Sequence, residues 1–314
     1  MHLNIIIVNW NSGKQLGKCL SSISHFGSES VTKIVVVDNG SIDGSIDELK
    51  HYDLPLEVIR NKKNMGFARA CNQGAALCDS HYLLFLNPDT ELFENSLSVP
   101  LAFMNDDANA DVGICGIQLV DKQGHIARSC ARFPSLPRFA FQSIGLNKLP
   151  ALRSFGIHMQ DWEHLETKKV DHVIGAFFLV RHSLFKLLNG FDERYFVYLE
   201  DIDFSFRAKQ LGWNSIYHSG AQAFHAGGGT SRQIKATRLF YSLRSRLLYG
   251  LKHFSLWRAY ILIALTLLVE PVSRTVFSLL RGGIGDVYNT WSGYRMLYRD
   301  LPDILGRSSG KFKT

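Results

Sequence analysis

The sequence predicts an α/β fold, an open and mostly parallel sheet with helices packed on its faces. Three observations carry this. Tyr82-Leu83-Leu84-Phe85-Leu86 is an unbroken apolar run that stops at the polar turn Asn87-Pro88-Asp89, as a strand buried on both faces should. Leu3 to Val8 reads the same way and stops at Asn9-Trp10-Asn11-Ser12-Gly13. Between the two, strand-like and helix-like stretches alternate at a spacing that means parallel strands joined by right-handed crossovers. With 314 residues, 46% hydrophobic and 20% charged, the chain can bury a substantial core, and disorder is not its default.

After the first strand, Leu16, Cys19, Leu20 and Ile23 fall at helical spacing, so a helix lays its apolar stripe on the sheet, with Asn11 or Ser12 able to cap it. Lys33 to Val37 and Leu56 to Ile59 are the next strands. Phe67, Ala70 and Gly74 then mark a packed helix, and Gly74 lets it approach the sheet closely. Leu83 to Leu86 is the fourth strand, which Pro88 cannot continue because it has no N–H to donate. Asp111 to Leu119 is a further strand, ending at the turn Asp121-Lys122-Gln123-Gly124. Residues 133 to 165 carry Pro134, Pro137 and Pro150 with no sustained period and read as an irregular lid or acceptor-side segment. Gly175 to Arg181 returns to strand, and His182 to Leu188 is a short helix stopped by Asn189-Gly190. A helix follows near Glu200 with Phe204, Ala208 and Leu211 on one face. Asn214 to Tyr217 is strand, and Ser231 to His253 a long helix with Leu239, Leu243, Leu247 and Leu251 as its stripe.

The polar residues gather where such a sheet opens, outside the carboxyl ends of its strands, which is where open α/β sheets bind ligands. Asn9 and Asn11 follow strand one, Asp38 follows strand two and Asp89 follows strand four. Asp38 can accept hydrogen bonds from a ribose or a base edge. Asp89 can hold a divalent cation against a diphosphate; a plain turn competes with that reading, since Asn, Pro and Asp favour turns. Arg69, a planar cation, suits a phosphate or a base, against the simpler reading of a solvated arginine. No G-x-G-x-x-G follows strand one and no P-loop is present, which sets aside an ordinary dinucleotide fold. Further on, Glu200 and Asp201 stand at a helix N-terminus, where the dipole favours a carboxylate. Asp201 is either a cap or a general base for a hydroxyl. Asp203 and Arg207, four apart, read as an intrahelical ion pair.

Asn9-Trp10-Asn11, Val37-Asp38-Asn39-Gly40-Ser41, Asn64-Met65-Gly66-Phe67-Ala68 and Asn87-Pro88-Asp89, in that order and each at a strand end or helix start, resemble the family 2 glycosyltransferases. Within them the chain is similar to bacterial rhamnosyltransferase-type enzymes of O-antigen, lipopolysaccharide and other surface-polysaccharide assembly. The resemblance covers roughly residues 3 to 250. It implies the GT-A type of fold, a Rossmann-like sheet. It implies inverting transfer of a hexose, L-rhamnose from dTDP-rhamnose, from a nucleotide-sugar donor to a polyprenyl-diphosphate-linked saccharide. UDP- or GDP-sugars are the alternative donors. Donor contacts would come from Asn9, Asn11, Asp38, Arg69 and Asn87. Asp89 matches the second acid of the family's metal-binding D-x-D motif, and Asn87 stands in place of the first. That departure removes one charge from a site for Mg2+ or Mn2+, although an amide oxygen can still ligate. His225 matches a histidine that in some relatives ligates the metal or touches the diphosphate; a satisfied histidine beside a glycine loop is the competing reading. The motif around Glu200-Asp201 resembles the family's acidic catalytic motif, so the base role goes to Asp201 with Glu200 its rival.

The net charge is +7, unevenly placed: Phe204 to Val269 contains no Asp or Glu but nine Lys or Arg. That asymmetry points to an anionic partner. The run Ala259 to Val269 is too short to span a bilayer, and Glu270, Pro271 and Arg274 interrupt its extension, so in-plane binding at a membrane surface is expected. Trp257, Arg258 and Tyr260 are interfacial residue types. The competing class is a non-catalytic nucleic-acid-binding protein. Against it, the cations are not interleaved with aromatics on a sheet face, and Glu200, Asp201 and Asp203 would repel phosphates. A nucleotidyltransferase would need a basic glycine-rich signature after strand one. Five cysteines without metal spacing, and no leader pattern, fit a cytoplasmic protein held peripherally on the inner face of the membrane. The expected organisation is a glycosyltransferase domain over 1–230, with a nucleotide-binding half to about 120 and an acceptor and catalytic half beyond. A basic helical extension over 231–305 and a disordered tail over 306–314 complete it.

Overall fold

The computed structural model describes residues 2–27, 30–47, 49, 52–146, 149–227, 235–281 and 283–308. The described strands in chain order are β1 (Leu3–Asn9), β2 (Val31–Asp38), β3 (Leu56–Arg60), β4 (Tyr82–Leu86), β5 (Thr90–Leu92), β6 (Val112–Val120), β7 (Cys130–Ala131), β8 (Lys168–Val170), β9 (His172–Val173), β10 (Phe177–Arg181) and β11 (Asn214–His225). The helices are α1 (Lys14–Phe26), α2 (Phe67–Ala75), α3 (Ser98–Asn105), α4 (Leu136–Ser143), α5 (His182–Leu187), α6 (Glu200–Gln210), α7 (Lys235–His253), α8 (Leu256–Ala264), α9 (Glu270–Leu280) and α10 (Ile284–Ser308). They divide into two compact units. One comprises 1–133, 162–193 and 200–230; the other comprises 134–161, 194–199 and 231–314.

The first unit is built on a sheet of order β3-β2-β1-β4-β10-β6-β11-β5, with β8 paired to β11. β3, β2, β1 and β4 are parallel. Every residue of β1, β4 and β6 is buried, which is why their sequences run apolar without alternation. β10 enters antiparallel between β4 and β6, while β11 runs parallel to β6. Leu16, Cys19, Leu20 and Ile23 of α1 are fully buried in the core with β1 and β2. Gly74 has no room for a side chain: a Cβ there would lie 2.6 Å from Ile6 Cγ2. β11 is longer than the expected Asn214 to Tyr217 and carries the chain on to His225.

In the second unit, the segment expected to be irregular over 133–165 contains α4 and a 3-10 turn at Pro150–Phe155. Pro137 does not break α4, because it lies in the first turn where no N–H is needed; Ser135 caps the helix by accepting from the Arg138 N–H at 3.4 Å.

The interruption expected at Glu270-Pro271 is also absent. α8, a π-helical stretch at Leu265–Val269 and α9 form one helix, Leu256–Leu280, of 25 residues with mean hydropathy 1.6 in its most apolar window. Proline removes one helical hydrogen bond and crowds the carbonyl four residues back. The π stretch widens the helix there, and Tyr298 Oη of α10 donates to the Leu267 carbonyl at 2.8 Å.

Glu270 is fully buried and bonded by Arg246, by Arg274 Nε at 2.8 Å and by Ser143 Oγ at 3.0 Å. Much of the acid-free basic stretch is likewise neutralised from further along the chain. Arg244 Nε meets Asp300 at 2.7 Å, and Lys235 meets Asp286 at 3.0 Å. α7 is therefore not the uniformly basic surface its sequence suggests. Residues 231–234, where that helix was expected to start, lie outside the described residues. So does the tail over 309–314, whereas 306–308, expected to be disordered, continue α10.

Candidate active site

β1, β2 and β4 end side by side, with Asn9 in register with Asp38. Asn9 is fully buried, and its amide lies within reach of three acceptors: Asp38 Oδ1 at 2.9 Å, Ser41 Oγ at 3.1 Å and Ser45 Oγ at 2.8 Å. Ser12 Oγ donates to the Asn9 side-chain amide oxygen, Oδ1. Asn9 thus braces the loop that presents Asp38. Asn11, with φ +49°, accepts from the Ile42 N–H at 2.9 Å, tying the turn after β1 to the turn after β2. Asp38 is 3% exposed and also accepts from the Ser41 N–H at 3.2 Å, which fixes the carboxylate at the end of β2. Asn39 joins this edge to α2 by donating to Asn64 Oδ1 and to the Gly66 carbonyl. Arg69, in the first turn of α2, is half-exposed, and its nearest acid is Glu193 at 3.8 Å.

The turn after β4 is held on a neighbouring segment. The Asn87 N–H donates to the Ala176 carbonyl at 3.0 Å, and Thr90 Oγ1 reaches the same carbonyl at 3.3 Å. β5 then pairs antiparallel with the end of β11, placing His225 opposite Thr90. As a result His225 Nε2 sits 3.3 Å from Asp89 Oδ1, both groups largely buried, and the Ala226 N–H donates to the Asp89 carbonyl at 3.0 Å. Among the described residues no three His, Cys, Asp or Glu side chains form a metal cluster by themselves. One carboxylate and one imidazole, with Asn87 two residues before Asp89 in the same turn, would fit Mg2+ or Mn2+ only when a ligand supplies the remaining oxygens, as a diphosphate would. Gly228 and Gly229 of the following loop lie outside the described residues.

The two acids at the start of α6 have different surroundings. Asp201 accepts from the Gly175 N–H at 3.0 Å, from the Ile202 N–H at 2.8 Å and from His172 Nε2 at 3.3 Å. Burial alone would raise its carboxyl, but His172 and the two N–H donors outweigh it and hold Asp201 below the usual carboxylate range. Its side chain keeps 17% of its surface exposed, so it is both ionised and reachable. Glu200 is 4% exposed, and its Oε2 has no hydrogen-bond partner among the described residues. Burial, followed by the charges of Asp201 and Asp203, pushes its carboxyl well above the usual range. The two residues preceding it, Tyr198 and Leu199, have φ +69° and +66°. Non-glycine residues seldom hold this left-handed conformation, and where they do it is often at functional sites. Asp203 is fully buried on Arg207 Nε at 2.8 Å, and Arg207 also binds the Leu188 and Gly190 carbonyls, the intrahelical pair expected from their spacing.

Residue-by-residue reading of the sequence did not find His172 or Gly175. His172 is 1% exposed and lies 3.0 Å from Ser205 Oγ, which itself donates to the Asp201 carbonyl. A Cβ on Gly175 would come within 3.3 Å of Asp201 Oδ2. Gly175 and Ala176, consecutive in the chain, thus bind Asp201 on one side and the Asn87 and Thr90 turn on the other.

The profile of glycosyl transferase family 2 matches residues 4–188, more than half of the chain. The chain belongs to this family. As a family 2 glycosyltransferase it is 25% identical over 269 residues to the N-acetylglucosaminyl-diphospho-decaprenol L-rhamnosyltransferase of Mycobacterium tuberculosis. That match covers 82% of this chain and 87% of the relative. It is 29% identical to rhamnosyltransferase WbbL of Escherichia coli K12, over 54% of this chain and 62% of that one. Among solved structures, the mannosyltransferase PcManGT from Pyrobaculum calidifontis, in complex with GDP-Man and Mn2+, superposes with a TM-score of 0.54. The superposition covers 97% of this chain and 87% of that one at 15% identity, a likeness of fold. The sheet is of the GT-A type, and the protein is a glycosyltransferase. The nucleic-acid-binding alternative is set aside by that membership.

Proposed function

We propose that this glycosyltransferase moves L-rhamnose from dTDP-rhamnose, with inversion, to a hydroxyl of a polyprenyl-diphosphate-linked saccharide in surface-polysaccharide assembly. The observation that carries the mechanism is the different surroundings of two adjacent acids. Asp201 keeps 17% of its side-chain surface exposed and is held below the usual carboxylate range by His172 and two N–H donors. Glu200 is buried, its Oε2 has no hydrogen-bond partner among the described residues, and burial pushes its carboxyl up. Inverting transfer needs one base. Asp201 takes the proton of the acceptor hydroxyl as its oxygen attacks the anomeric carbon from the face opposite the diphosphate. His172 and the Gly175 and Ile202 N–H groups hold the carboxylate in place for that step.

Asp38, braced by Asn9, takes the nucleoside, with Asn11 shaping the loop and Arg69 beside it. Asp89, His225 and Asn87 are the residues that would hold a divalent cation, which would supply positive charge to neutralise the leaving diphosphate. The rhamnose and the lipid-linked acceptor are supported by the names of the two rhamnosyltransferase relatives.

A position on the inner face of the cytoplasmic membrane is supported by the helix Leu256–Leu280. Only 22% of its most apolar window is buried, and Leu256, Trp257, Tyr260, Leu268, Val272 and Leu280 are each more than half exposed. This helix is long and apolar enough to cross a membrane; Glu270, held by ion pairs in its middle, ties one side of it to the protein, which supports the reading that it lies in the plane of the membrane surface. Calorimetric titration with dTDP, UDP and GDP, with and without Mg2+ or Mn2+, tests the donor assignment. Metal-dependent binding of dTDP above the others supports it, and preference for UDP or GDP moves the donor to another sugar class.

A further inference from the structure

Within the helical unit, α4, α7, α9 and α10 enclose a cavity of about 350 Å3. Its charged lining is three cations, Lys235, Arg274 and Arg281, against one acid, Asp286. Ser273 and Ser278 also line it; the Ser273 hydroxyl donates to the Ser143 and Glu270 carbonyls. Arg274 is fixed by Glu270, with Nη2 and Oε1 at 2.7 Å. Lys235 pairs with Asp286 at a site where both are more than half exposed, so water weakens that pair. Arg281 is exposed, and its guanidinium makes no hydrogen bond or ion pair with another described residue. A guanidinium beside serine hydroxyls is a phosphate-binding arrangement.

The cavity adjoins apolar surface on the same helix. At about 100° per residue, Ser273, Arg274, Phe277, Ser278 and Arg281 occupy one arc of α9. The neighbouring arc carries Val272, Val276, Leu279 and Leu280, exposed by 58%, 49%, 58% and 77%. Ile284 and Tyr288, at the start of α10, are exposed by 79% and 76%. A single ligand that matches a cationic, hydroxyl-lined pocket and an adjacent solvent-facing apolar arc has a phosphate head and a hydrocarbon tail.

We infer that this cavity is a head-group site for an anionic phospholipid, which docks the helical unit on the membrane with α9 lying among the lipid tails. The phosphate sits between Arg281, Arg274 and the Ser278 hydroxyl, and the apolar arc of α9 inserts beside it. The inference deepens the membrane-surface reading above and rests on that part of it, not on the sugar or the acceptor.

The test is flotation of the full-length protein with vesicles of phosphatidylcholine alone and of phosphatidylcholine mixed with phosphatidylglycerol. The wild type should prefer the anionic vesicles. Arg281→Ala should lower partitioning to them about fivefold, leaving partitioning to neutral vesicles unchanged. Leu280→Glu should weaken both. Lys122→Ala, an exposed cation on the turn after β6, is the control for general charge and should change little. A wild type that floats with neither vesicle, or that forms a dimer in solution instead, overturns the membrane reading and the inference with it. A wild type that prefers anionic vesicles while Arg281→Ala keeps that preference, or loses no more of it than Lys122→Ala, overturns the head-group site alone.

Discussion

Replacing Arg246 by Met isolates what holds the helical unit together. Arg246 and Glu270 have side chains 3% and 0% exposed, and Arg246 also lies 5.2 Å over the Phe139 ring. Removing one partner of a buried pair leaves a charge without compensation, at a cost of about 3–5 kcal/mol. Arg274 still binds Oε1 through two nitrogens, and Ser143 still donates to Oε2, which places the expected loss near the lower end, about 3 kcal/mol. The double variant Arg246→Met, Glu270→Met removes both charges and should recover most of that loss, because apolar replacement of a buried pair is often neutral. Urea unfolding followed by tryptophan fluorescence reads both.

The pair also gives a pH signature. Burial would raise the Glu270 carboxyl, but Arg246 and Arg274 hold it below its ordinary value. A carboxyl depressed in the fold contributes stability above its unfolded value, about 4.3, and that stability is lost as pH falls through the folded value. The wild type should therefore weaken on acidification in that window, and the double variant should lack this component. A single variant that loses less than about 1 kcal/mol, or a double variant weaker than the single, would refute the reasoning.

Other expectations follow from the site. Glu200→Gln should keep transfer within about tenfold of wild type, against the 10²–10⁴ expected for loss of a base. Because the Glu200 carboxyl is raised in the fold above its unfolded value, this variant should gain stability relative to wild type as pH rises above about 4.3; urea midpoints against pH show it. His172→Ala should lower kcat by about 10- to 100-fold, the range seen when a group orienting a ligating residue is removed, with the donor KM little changed. It should also move the acid limb of the pH–rate profile upward, since Asp201 loses the partner that depresses it; an unmoved limb would leave His172 a packing residue. Asp89→Ala should abolish any stimulation by Mn2+ and weaken donor binding about tenfold or more, measured by calorimetry with and without the metal.

What was legible in the sequence was local. Unbroken apolar runs marked β1 and β4 because both are buried on two faces, and the polar turns after β1, β2 and β4 located Asn9, Asp38 and Asp89. The four-residue spacing of Asp203 and Arg207 foretold their pair. What was missed depends on partners distant in the chain. The antiparallel entry of β10 between β4 and β6 leaves no mark on an apolar segment that would look the same in either direction. α4 was hidden by Pro137, which breaks a helix interior but not a first turn. The helix passes Glu270 and Pro271 only because Arg246 neutralises the acid and Tyr298 takes the freed Leu267 carbonyl. The acid-free basic stretch looked like a charged surface until Asp286, Asp300 and Asp303 of α10 were placed beside it. At the site, adjacent Glu200 and Asp201 were indistinguishable by pattern. His172 and Gly175 separate them, and neither carries a periodic signal.

The central claim is that Asp201 is the base. Asp201→Asn keeps the shape and one of the two oxygens that accept backbone N–H groups but removes the proton-accepting charge. Transfer from the bound donor, measured in a single turnover, should fall by about 10²–10⁴, while donor affinity by calorimetry stays close to wild type. Transfer within tenfold of wild type, or a joint loss of folding and donor binding that marks Asp201 as a helix cap, would contradict it.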